Sequence, residues 1–173
     1  MRILGIDPGS RITGYGLIDS STSGSREVAC GCIETGAAEM PQRLERIFLG
    51  LREVIERYAP EEAAIEQVFM HRNPDSALKL GQARGAAVVA CVACGLTPAE
   101  YSPASIKQAV VGRGRADKTQ VQHMVAVLLG HRGELQADAA DALAVALCHA
   151  HTREGLGRIA GAGGLAVRRG RLR

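Results

Sequence analysis

The chain has 173 residues, with 21 Lys and Arg against 18 Asp and Glu, 46% hydrophobic residues and 3% aromatic ones. That length suits one domain around one core, the composition excludes a disordered or fibrous protein, and no apolar run reaches the ~20 residues of a membrane span. The formal charge of +3 conceals an asymmetry: beyond Thr152 the sequence is Arg- and Gly-rich with Glu154 as its one acid, so a mildly acidic body carries a basic tail suited to a polyanionic partner.

Arg2 to Ile6 reads as a short strand ending in the turn cluster Asp7-Pro8-Gly9-Ser10. An acid so early leaves no apolar stretch for a signal peptide, and the expected location is the cytoplasm. Thr13 to Ile18 and Val28 to Glu34 are two further strands around a polar turn at Ser20 to Ser25, so the chain opens as an antiparallel meander. Leu44, Ile47, Phe48, Leu51, Val54, Ile55 and Tyr58 then share one face of a long helix closed by Pro60. Ala63 to Glu66 is a short buried strand. Pro74 opens a helix to about Cys94, with Gly95 beyond its end. Its face of Ala77, Gly81, Gly85, Val88 and Val92 is small enough for either a dimer seam or a tight seat on the sheet.

Thr97 to Tyr101 is a fifth strand and Pro103 to Val111 a helix. The basic, flexible loop Gly112-Arg-Gly-Arg-Ala-Asp117 precedes helices at Lys118 to Leu129 and Ala137 to Ala150. Together these elements predict an α/β fold: a mixed five-stranded sheet, three antiparallel strands followed by parallel ones, flanked by helices. Residues 1–152 form the expected domain and 153–173 a flexible basic tail. The cysteines (Cys30, Cys32, Cys91, Cys94 and Cys148) read as free thiols, and Cys91-x-x-Cys94, inside an apolar run, as buried thiols in preference to a metal or redox site.

Four acids stand out. Asp7 and Glu66 each end an otherwise apolar strand, so both acids fit the same rim of the sheet. Asp138 and Asp141 lie three apart on an Ala-rich helix, facing the same way and able to approach the sheet closely. Two carboxylates ~4 Å apart repel by about 4 kcal/mol at an effective dielectric near 20, so four together require protons or cations. Oxygen ligands with no His select Mg²⁺ or Mn²⁺, and a two-ion clamp of that kind serves metal-dependent phosphodiester hydrolysis. Lys107 and Lys118 flank the loop that carries Arg113 and Arg115, where cations could meet phosphates. Phe69, three residues past Glu66, could stack on an unpaired base. An actin-like ATPase also opens with a strand and an Asp-x-Gly turn, but needs two such domains, for which this chain is too short.

The stretches Gly5-Ile-Asp-Pro-Gly-Ser10, Ile65-Glu-Gln-Val-Phe69, Ser76 to Gly85 and Gln136 to Leu143 resemble the bacterial RuvC Holliday-junction resolvases in one register from residue 1 to about 150. The resemblance implies an RNase H-like fold, a homodimer, Mg²⁺ dependence with Mn²⁺ able to substitute, and paired symmetric nicks across four-way junction DNA in homologous recombination and repair. It places Asp7, Glu66, Asp138 and Asp141 at the metal-binding catalytic positions, two ions per site. Lys107 and Lys118 fall at the family's essential lysines, with Lys118 counted as catalytic, and Phe69 at the aromatic set against a junction base. It also implies contact with the RuvA–RuvB branch-migration complex.

Overall fold

The computed structural model describes residues 1–68 and 73–166, with side chains to residue 156. The chain runs β1 (Arg2–Asp7), β2 (Ile12–Ser21), β3 (Gly24–Glu34), α1 (Met40–Tyr58), β4 (Glu62–Glu66), α2 (Pro74–Ala93), β5 (Ala99–Tyr101), α3 (Pro103–Val111), α4 (Lys118–Leu129) and α5 (Ala137–Ala166). The sheet order is β3-β2-β1-β4-β5, with β1–β2 and β2–β3 antiparallel and β1–β4 and β4–β5 parallel. This is the predicted mixed sheet. Among the described residues no helix is long and apolar enough to cross a membrane.

Alternation along the strands sorts the side chains into two cores. Leu4, Ile6, Leu17, Ala63 and Ile65 pack under α1 and α2, while Ile3, Ile18 and Ala64 pack under α3, α4 and α5. The apolar stripe of α1 buries Ile47, Leu51, Val54 and Ile55. Its end is set by Ala59 in the left-handed conformation, with Pro60 directly behind it. The helix α4 begins with a reciprocal cap in which Asp117 accepts from the Gln120 amide and the Gln120 side chain accepts from the Asp117 amide.

One open alternative is decided and one expected boundary shifts. The α2 helix does not seat its glycine face on the sheet: Ala83, Ala87, Ala90 and Cys91 are buried, and Cβ atoms at Gly81 and Gly85 would meet nothing within 4 Å. The expected tail boundary at 152/153 falls inside α5, which continues to Ala166. Adding a residue to a formed helix brings one hydrogen bond per residue fixed, so the packed segment before it carries the helix onward. Arg153 pairs with Glu62 of β4, tying the start of that continuation to the sheet.

Candidate active site

Parallel pairing of β1 with β4 runs to Ile6↔Ile65, so Asp7 and Glu66 are the next residues on adjacent strands. By alternation both face α5, opposite to Ile6 and Ile65. The α5 helix crosses this face unusually closely, because the strands beneath it carry glycine where side chains would stand. A Cβ at Gly5 would sit 2.1 Å from the Ala142 carbonyl oxygen, and one at Gly14 would sit 2.0 Å from that of Asp138. One at Gly16 would collide with Leu143. Ala139, Ala140, Ala142 and Ala146 complete the contact from the helix side, all fully or nearly fully buried. Asp138 and Asp141, at the start of α5, are thereby held over the ends of β1 and β4. The turn after Asp7 is fixed by buried Thr13, whose hydroxyl donates to the Gly9 carbonyl at 2.8 Å and accepts from the Gly9 amide at 3.3 Å.

The four acids lie close enough for their charges to act on Asp7 and Glu66. Asp7 is pushed up to about 8, first by burial, then by the charges of Glu66, Asp141 and Asp138, with Lys118 pulling the other way. Glu66 is also raised, by burial and then by Asp141, against a hydrogen bond from Asp7 and the charges of Lys118 and Lys107. The Lys118 ammonium donates to Asp141 Oδ2 at 2.7 Å, and this contact leads the upward shift of the lysine. A carboxyl group raised to about 8 by burial and by three neighbouring carboxylates marks a place where added positive charge is favoured. That observation, with an all-oxygen donor set, fits a hard divalent cation.

A cavity of about 320 Å³ opens beside the cluster, lined by Glu66, Asp141, Lys107, Lys118, Ile106 and Val121 among others. Arg113 and Arg115 are exposed on the loop between α3 and α4 that leads to Lys118. Phe69 lies outside the described residues. The sequence reading missed Gly5, Gly14 and Gly16, although the alternating Gly14-Tyr-Gly16 in a strand was a usable sign of close backbone approach.

Residues 3–149 match the family model described as crossover junction endodeoxyribonuclease RuvC. The chain belongs to the RuvC family. It is 60% identical over 171 residues to the crossover junction endodeoxyribonuclease RuvC of Marinobacter nauticus, covering 99% of this chain and 97% of that one. With the protein of the same name from Hahella chejuensis it shares 54% identity over 173 residues, covering 100% and 99%. Among solved structures it superposes on Thermus thermophilus RuvC in complex with a Holliday junction substrate with a TM-score of 0.83 at 35% identity, covering 90% of this chain and 96% of that one. The yeast mitochondrial Holliday junction resolvase, at 16% identity and a TM-score of 0.66, shares the fold. The RuvC match thus spans every element that builds the acid cluster, from β1 to the buried part of α5.

Proposed function

We propose that this chain is a divalent-metal-dependent endodeoxyribonuclease that resolves Holliday junctions by paired symmetric nicks, in homologous recombination and DNA repair. The observation that carries the reading is the convergence of Asp7, Glu66, Asp138 and Asp141 at one rim of the sheet, where burial and then the other three acids push Asp7 up to about 8. The relatives named above support the substrate, since one of them was solved with a junction bound.

Asp7, Glu66, Asp138 and Asp141 would hold Mg²⁺, two ions per site, with Mn²⁺ able to replace it. When bound, the ions supply Lewis-acid stabilisation of the phosphate and an activated water. The chain's own residues do the rest. Asp7 must give up its proton to act as a ligand, which a neighbouring cation favours. Lys118 leaves Asp141 free to bind metal when its ammonium turns to a DNA phosphate, and there it stabilises charge as the P–O bond breaks. Lys107, across the same cavity, fixes the phosphate backbone, and Arg113 and Arg115 extend that cationic edge. Phe69 stacks on an unpaired base at the crossover.

Two opposed nicks require two sites related by a two-fold axis, so the acting unit is a homodimer. The open face of α2 supports this: Leu78, Val89 and Val92 are 70%, 57% and 56% exposed, with Gly81 and Gly85 between them permitting close approach. Sedimentation as a monomer at micromolar concentration contradicts the dimer. The dimer works in the bacterial cytoplasm with the RuvA–RuvB branch-migration complex. A labelled synthetic four-way junction tests the activity directly. Wild type cuts with Mg²⁺ and not without it, while Asp7→Asn binds and does not cut; equal cleavage by both defeats the site assignment.

A further inference from the structure

A bulge in the sheet changes which residues of β3 look toward α4 and α5. Pairing of β2 with β3 is regular from Ile12↔Glu34 to Leu17↔Ala29, then shifts so that Ile18 faces Glu27 and Val28 has no partner. On an unbroken strand, residues three apart point to opposite faces; one extra residue returns them to the same face. Val28 and Ala29 accordingly both pack on the α1–α2 side, while Cys30 packs on the α4–α5 side. There the Cys30 thiol donates to Glu27 Oε1 at 3.4 Å. From the connection between α4 and α5, directly after the cap at Gly130, His131 donates from Nδ1 to Glu27 Oε2 at 2.7 Å, across 104 residues of sequence.

We propose that Glu27, Cys30 and His131 form a zinc site, with water as the fourth ligand, separate from the carboxylate site. Among the described residues these three offer a thiol sulfur, an imidazole nitrogen and a carboxylate oxygen all within 4.8 Å of one another. Bonds of ~2.0–2.3 Å around tetrahedral zinc set such atoms at comparable separations. The donor set is selective: sulfur and imidazole suit zinc and do not suit Mg²⁺, which the four acids at the other site do.

The surroundings favour the ion. The Glu27 and His131 side chains are only 21% and 15% exposed, dry enough to strengthen coordination and open enough for one water. Among the described residues His131 Nε2 is buried with no hydrogen-bond partner, so nothing on that side fixes the ring's tautomer. Zinc entry would release the Cys30 proton to solvent, shift the His131 proton from Nδ1 to Nε2, and replace two hydrogen bonds with three coordinate bonds. The bond it makes joins the edge strand β3 to residues 130–136, the connection that delivers Asp138 to the sheet.

The test uses full-length protein carrying Asp7→Asn and Asp141→Asn, which removes the hard-ion site from the measurement. Titration should show one Zn²⁺ per chain, and Co²⁺ should give a thiolate-to-cobalt charge-transfer band. Cys30→Ser should abolish the band and weaken zinc binding at least ~10-fold. In the same background with Cys30 intact, zinc should slow amide hydrogen exchange at residues 26–31 and 130–136, a readout that needs no substitution in the site. Absence of the band, a band that survives Cys30→Ser, or unchanged exchange at residues 130–136 overturns the proposal. Because none of these readouts is DNA cleavage, their failure leaves the nuclease reading intact, and the reverse holds.

Discussion

Gly14→Ala isolates the close approach of α5 from the chemistry of the acids. The new Cβ would stand 2.0 Å from the Asp138 carbonyl oxygen, 2.4 Å from its carbonyl carbon and 3.2 Å from the Ala139 nitrogen. Ordinary contact begins at 3.4 Å, so the first turn of α5 must retreat by well over 1 Å, and the obstacle is backbone that no rotamer change removes. Overpacking of this kind costs about 1–3 kcal/mol of stability. Displacing reacting groups by ~1 Å costs roughly 100-fold in rate. Single-turnover cleavage of a labelled junction should therefore fall about two orders of magnitude, with a lower melting temperature and junction binding retained. Gly50→Ala is the control: on α1 in the opposite layer, the atoms nearest its Cβ are Ile33 side-chain carbons at 3.0–3.1 Å, and cleavage should stay at the wild-type rate. Wild-type cleavage and melting for Gly14→Ala would refute the reasoning.

The metal-free protein should lose stability as pH rises. Asp7 stands near 8 against an ordinary 3.8, so the folded state keeps a proton that the unfolded chain releases; that stability is complete below ~4 and lost as pH passes through about 8. Asp7→Asn removes this loss and should melt above wild type at pH 9 in chelator, and an equal or lower melting temperature there contradicts it. Lys118→Gln deletes the cation bonded to Asp141, so Mn²⁺ affinity followed by paramagnetic resonance should rise while cleavage falls at least ~10-fold. Weaker Mn²⁺ binding would show that the lysine supports the metal site instead of competing with it. Replacing both Arg113 and Arg115 with Gln should flatten the dependence of log binding constant on log salt by about 1.8 if each contacts one phosphate. An unchanged slope removes both from the interface.

Much of this architecture was legible because it rests on local chemistry. The stripe from Leu44 to Tyr58 has helical period, and Asp138 and Asp141 are conspicuous on a helix that is otherwise Ala. Acids at the ends of apolar strands gave Asp7 and Glu66, and the pairing of β1 with β4 brought them side by side. What was not legible depends on contacts between distant residues. Gly14 and Gly16 look like weak strand residues until α5 lies on them. The small face of α2 fitted two seats, and only the packing of Ala83, Ala87 and Ala90 showed which side was taken. Gly155, Gly157, Gly161, Gly163 and Gly164 read as part of a tail because each costs a helix about 1 kcal/mol relative to Ala, yet α5 passes through them. The Glu27–Cys30–His131 group was invisible because one bulge and a 104-residue separation create it.

Crystals of the protein soaked in Mn²⁺ and measured for anomalous scattering test the central claim most directly. The account predicts two peaks among Asp7, Glu66, Asp138 and Asp141, with carboxylate oxygens at about 2.1 Å and Lys118 drawn away from Asp141. Peaks elsewhere, with the Lys118–Asp141 pair intact and the four acids bare, would contradict it.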